Sequence, residues 1–71
     1  MRTNVRAEYE KFADPRAKYI SHRTDTGGLS LTYQVEGYPT PSKAYFEFEG
    51  RYTLREAAQE IGKYVLRDVP A

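Results

Sequence analysis

A chain of 71 residues (8.2 kDa) with no cysteine and one histidine has room for a single domain, residues 1–71, and cannot staple it with a disulfide or a Cys/His zinc site. Eleven Lys and Arg against ten Asp and Glu leave a formal charge of +1, which excludes the uniform electrostatic drive of a dedicated polyanion binder; any basic patch has to be local. The longest apolar runs are two or three residues, so neither a bilayer-spanning segment nor a secretory leader is expected, and the expected location is the cytoplasm.

Val5, Tyr9, Phe12 and Ala13 form the apolar stripe of a short amphipathic helix over about Val5 to Ala13, with Asn4 placed to cap its start and Asp14-Pro15 to end it. Nine residues are marginal alone, so this helix must dock or remain a mobile arm. Arg16 to Thr24 reads as a strand, with Tyr19 and Ser21 on one face and Ile20 and His22 on the other. Asp25-Thr26-Gly27-Gly28 is a turn signal in which two glycines permit positive φ. Leu29, Leu31, Tyr33 and Val35 then alternate with Ser30, Thr32, Gln34 and Glu36, the period of a half-buried strand. Gly37 to Ser42 is a loop stiffened by Pro39 and Pro41. The next strand, Lys43 to Glu49, buries Ala44, Phe46 and Phe48 and shows Tyr45, Glu47 and Glu49 to water.

Thr53-Leu54-Arg55-Glu56 is a capping box that opens a second helix, whose inward face carries Leu54, Ala57, Ala58, Ile61, Val65 and Val69. Gly62 leaves two readings open. Either it lets the helix approach the sheet closely and run to about Arg67, which the phase of Val65 and Val69 favours, or it ends the helix and Lys63 to Val69 form a fourth strand. The expected fold is α+β: a three-stranded antiparallel sheet with the C-terminal helix packed on its apolar face and the short N-terminal helix at an edge.

Catalytic equipment is scarce. Ser21 and His22 are strand neighbours aimed at opposite faces, so they form no nucleophile–base pair. Glu56 and Glu60 are the only helix pair spaced for a metal, and facing water is their simpler reading, so no metal and no cofactor are expected. Glu47 and Glu49 stand about 7 Å apart on one strand face, within glycosidase spacing, but a domain of this size offers no two-walled cleft between them. An enzyme is not expected.

Residues 1–23 carry six positive and three negative side chains, and the remainder five and seven, so the N-terminal third is basic and the rest mildly acidic. The reading favoured by the sequence is a non-catalytic protein-binding module, an inhibitor or adaptor of the size found in phages and plasmids. Its candidate contacts are Tyr38, Tyr45, Glu47, Glu49 and Tyr52, and it would be a monomer or a homodimer through a sheet edge. The alternative is a nucleic-acid binder using Arg16, Lys18, His22 and Arg23 of the first hairpin with Arg51 and Arg55 at the start of the C-terminal helix, and Tyr19, Tyr38 or Tyr52 for stacking. Counting against it, the outward sheet face is expected to be acidic, from Glu36, Glu47 and Glu49 beside Gln34.

The order helix, three strands, helix, with Thr53-Leu54-Arg55-Glu56-Ala57-Ala58 continuing through Ile61, Gly62, Val65 and Leu66, resembles the double-stranded-RNA-binding domain. That resemblance implies minor-groove contacts from the first helix around Glu8 and a grip on a second groove from the hairpin near His22. Leu54 and Ala58 stand where that family has phosphate-binding lysines, and only Arg55 is basic. Separately, Tyr52 to Gly62 resembles the first helix and turn of an excisionase-type helix-turn-helix domain, though no recognition helix follows it.

Overall fold

A computed structural model of the chain describes residues 3–48, 50 and 52–67. Its elements run α1 (Val5–Glu10), β1 (Ala17–Thr24), β2 (Gly28–Val35), β3 (Ser42–Glu47) and α2 (Leu54–Tyr64). The three strands form one antiparallel sheet in the order β1-β2-β3, and both helices lie against the same face of it, α1 over β1 and α2 over β2 and β3. The α-β-β-β-α topology and the α+β class expected from the sequence are therefore present. None of the described helices is long and apolar enough to cross a membrane.

Local chemistry explains each boundary. Asn4 Oδ1 accepts from the Ala7 amide at 3.0 Å and starts α1. The helix stops at Glu10, three residues before the expected Ala13, because the Tyr9 carbonyl takes the amides of both Phe12 and Ala13 and tightens the last turn. In the first hairpin, Gly27 and Gly28 do not use positive φ. Asp25 Oδ1 accepts from both their amides at 2.8 Å, and that carboxylate holds the turn. Gly28 is required for another reason: a β-carbon there would collide with the Phe46 carbonyl and with the Tyr45 ring, which lies across it from β3. The capping box forms as expected, with Thr53 Oγ1 accepting from the Glu56 amide and Glu56 Oε1 accepting from the Thr53 amide, both at 3.2 Å.

Two sequence expectations are corrected. Tyr19 pairs with Tyr33 but Ser21 pairs with Thr32, so Ile20 is the extra residue of a β-bulge. Strict alternation fails at that point: Tyr19 and His22, not Tyr19 and Ser21, share the helix-covered face. The Tyr19 hydroxyl and His22 Nδ1 share a 2.7 Å hydrogen bond there. At the other end of the chain, α2 stops at Tyr64 instead of running to Arg67, with Leu66 in the left-handed region at φ 57°, and residues 65–67 form a turn and not a strand. Val65 is buried in phase with Ile61, whereas Val69 lies outside the described residues.

The core joins α1, the sheet and α2 through Val5, Tyr9, Ala17, Leu29, Leu31, Ala57, Ala58 and Ile61. Tyr9 is fully buried and donates its hydroxyl to the Ala17 carbonyl at 2.6 Å; burial pushes its ionisation well above the usual tyrosine range. Gly62 does permit a close approach, but to α1 and not to the sheet: a β-carbon on it would stand 2.6 Å from the Tyr9 carbonyl oxygen and 3.3 Å from the Phe12 β-carbon. A polar clamp closes the same interface. Glu8, its side chain only 8% exposed, accepts from Gln59 Nε2 at 2.7 Å and from Lys11 Nζ at 3.1 Å, with Arg55 Nε at 3.8 Å.

Gly62→Ala should test this packing. Helix propensity alone would stabilise α2 by about 1 kcal/mol, but moving backbone against backbone costs about 1–3 kcal/mol, so urea unfolding should show a net loss; a gain would contradict the close helix contact. The hydrogen bond from Gln59 and then that from Lys11 hold the Glu8 carboxyl below its ordinary value of 4.5. Its contribution to stability is complete above that value and is lost as pH falls through the lower folded-state value. Asp14, held down to about 2 by the Arg16 guanidinium, behaves in the same direction. Glu8→Gln should therefore lower Tm at pH 7 and flatten the fall of Tm below pH 4.5 relative to wild type; an unchanged acid limb would contradict the clamp.

Candidate functional site

With both helices on one side, the opposite face of the sheet is left open among the described residues. The strand register fixes what it displays. Lys18 stands opposite Gln34, Ser21 opposite Thr32 and Arg23 opposite Ser30; on the other side of β2, Thr32 faces Lys43, Ser30 faces Tyr45 and Gly28 faces Glu47. A central line of small polar residues, Ser30, Thr32 and Gln34, thus runs between basic residues on both outer strands.

The bulge creates this arrangement. Lys18 and Arg23 are five positions apart, an odd spacing that regular alternation would send to opposite faces. The extra residue at Ile20 brings both onto the open face. Neighbouring strands lie about 4.8 Å apart, so Lys43 sits about 10 Å across the sheet from β1, level with the midpoint of a Lys18–Arg23 separation of about 13 Å.

These three residues differ from the other described lysines and arginines. Arg6 pairs with Glu10 and lies over the Tyr19 ring, Lys11 and Arg55 converge on Glu8, and Arg16 chelates Asp14 at 2.7 Å. Lys63 pairs with Glu60 and covers Phe12, and Arg67 covers its neighbour Tyr64. The side chains of Lys18, Arg23 and Lys43 make no ion pair, hydrogen bond or ring contact with the described residues. All three are exposed, and so are Tyr45 and Glu47.

The acidity expected of this face lies at its ends. Glu47 is the last residue of β3, beside the first hairpin, and Glu36 follows β2 at the far end, where it acts on Arg16. Glu49 lies outside the described residues. Between those ends the described charge is positive. Partial desolvation of the Tyr45 hydroxyl, and then the charges of Asp25 and Glu47, raise its ionisation above the ordinary tyrosine value.

The two residue sets drawn from the sequence are divided by the fold. Of the protein-binding set, Tyr45 and Glu47 share the open face, but Tyr52 meets Phe46 edge-on at 4.8 Å on the helix side, and Tyr38 stands in the loop at the opposite end of the sheet. Of the basic set, Lys18 and Arg23 share the open face, His22 is on the other side, Arg16 is engaged with Asp14, and Arg55 lies beside Glu8 on α2. Arg51 is outside the described residues. Lys43, Ser30 and Thr32 complete the face and belong to neither set.

The surface implied by the double-stranded-RNA-binding resemblance is differently furnished. Glu8 is committed to holding α1 against α2, and Ala58, at a lysine position of that family, is fully buried. Compared with family models, curated proteins and solved structures, the chain matches none. Among the described residues no group of three or more His, Cys, Asp or Glu side chains is placed to hold a metal ion.

Proposed function

We infer that the protein is a nucleic-acid-binding module that uses the open face of its sheet. The observation carrying this reading is that Lys18, Arg23 and Lys43, the described lysines and arginines without a partner among the described residues, all project from that one face. Unpaired cations keep their full charge for phosphates, and displacing counterions from a polyanion is the usual source of such affinity. The near-neutral total charge is no obstacle, because among the described residues Glu8, Glu10, Asp14 and Glu60 pair with cations that lie away from the open face. Ser30 and Thr32 offer hydroxyls that have no partner among the described residues, and so supply the hydrogen-bonding chemistry that phosphates alone do not need.

Binding of fluorescent duplex and single-stranded oligonucleotides, measured as anisotropy across a salt series, tests the reading. Removing Lys18, Arg23 or Lys43 singly by alanine should reduce the slope of log affinity on log salt by roughly 0.7–0.9, and removing all three should abolish salt-dependent binding. Lys63→Ala, on the helical side, should leave both affinity and slope unchanged. No binding at low salt, or equal losses from the helical side, would contradict the assignment.

A protein partner is the second reading, supported by a different feature. An apolar groove of about 280 Å³, floored by Ala44, Phe46 and Ile61 and rimmed by Tyr64 and Leu66, runs beside the outer edge of β3. An extended peptide could pair with that edge and place alternate side chains in the groove. Such a partner would be released by Tyr64→Ser and would be indifferent to Arg23→Ala.

A further inference from the structure

Resting on the reading of the open face as a nucleic-acid surface, we propose that its ligand is duplex DNA, held with the sheet lying in the major groove. The axes of β1 and β3 stand about 10 Å apart, so in a major groove of about 12 Å the central strand can enter with the outer strands riding on the two walls, whereas a minor groove of about 6 Å is too narrow for that seat. In that position β2 is the deepest strand, and its outward side chains, Ser30, Thr32 and Gln34, meet base edges. The flanking cations meet the two phosphate walls, with Lys18 and Arg23 on one and Lys43 on the other.

The face is furnished for this ligand and poorly for the others. Single-stranded nucleic acid is gripped by successive aromatic platforms, and Tyr45 is the one aromatic side chain on the described open face. Its ring is committed on one side to covering Gly28. Duplex RNA presents a major groove too deep and narrow for a sheet. Base edges in DNA, by contrast, are read by hydroxyl and amide groups, and these are what β2 carries. Ser30 Oγ and Thr32 Oγ1 have no partner among the described residues. Gln34 is held in place by donating Nε2 to the Tyr38 carbonyl at 2.7 Å, which leaves Oε1 as an acceptor. Glu47, at the hairpin end of the face, sets a limit to the contact: like-charge repulsion keeps the phosphate wall on the Arg23–Lys43 side of it.

The test compares one mixed-sequence 20-base oligonucleotide as DNA duplex, RNA duplex and DNA single strand at the same salt. DNA duplex should bind at least about tenfold more tightly than either other form, with a salt slope of roughly −2.7 from three phosphate contacts. Duplex whose cytosines carry glucosyl groups in the major groove should lose that binding, whereas a minor-groove ligand of the netropsin type should not compete. Thr32→Ala should narrow the spread of affinities across a panel of duplex sequences while leaving the salt slope unchanged. Preference for single strands or RNA, tolerance of the glucosylated duplex, or competition by the minor-groove ligand would overturn the inference and leave the open face as a nucleic-acid surface of another kind. Failure to bind any of the three forms would overturn that underlying reading as well.

Discussion

The contact between α1 and α2 decides which side of the sheet is covered. Gly62 presents bare backbone to the Tyr9 carbonyl, and Glu8 reaches across to Gln59 and Arg55, so the two helices meet as one layer. A six-residue helix has too few turns to persist on its own, and α1 exists because Tyr9 and Val5 enter the common core and the Glu8 carboxylate is fully satisfied there. Placing both helices on one face gives a chain of this length a single adequate core. It also leaves the second face of all three strands without a covering element among the described residues.

An uncovered face must be polar to remain in water, but polarity does not dictate sign. Here the sign follows from how charges are divided between the two sides. The acids of α1 and α2 neutralise the cations of the helical layer, through Glu8, Glu10 and Glu60, while Asp14 takes Arg16 in the connection to β1. The open face receives Lys18, Arg23 and Lys43, and its acids stand at the two ends. A molecule with a formal charge of +1 thereby presents one basic surface about three strands wide. Exposed ion pairs contribute little to stability, so the Arg6–Glu10 and Lys63–Glu60 pairs, unlike the buried Glu8 clamp, matter here less as a source of stability than for the cations they leave over.

Much of this was legible in the sequence. Alternation in β2, the capping box at Thr53 and the Asn4 cap each mark an element by a local rule, and local rules survive folding when the core agrees with them. The places where reading the sequence failed are places where distant residues decide. Nothing near Ile20 announces a bulge; pairing with β2 creates it, and one extra residue reverses every face assignment from Ser21 to Thr24. Gly62 was visible as an anomaly in a helix, but its partner, the Tyr9 carbonyl, lies 53 positions away in the chain. The sign of the open face is legible only in part: Lys43 shares the strand parity of Tyr45 and Glu47 and can be read locally, whereas Arg23 joins Lys18 on that face only because the bulge delivers it.

A map of the bound surface decides which side of the sheet holds DNA: a duplex oligonucleotide is titrated into isotope-labelled protein at low salt and the backbone and side-chain resonances are followed by NMR. The largest shifts should fall on Lys18, Ser21, Arg23, Ser30, Thr32 and Lys43, with α1 and the exposed side of α2 unmoved. Shifts concentrated on Arg55, Lys63 and the first turn of α2, with the open face silent, would contradict this placement.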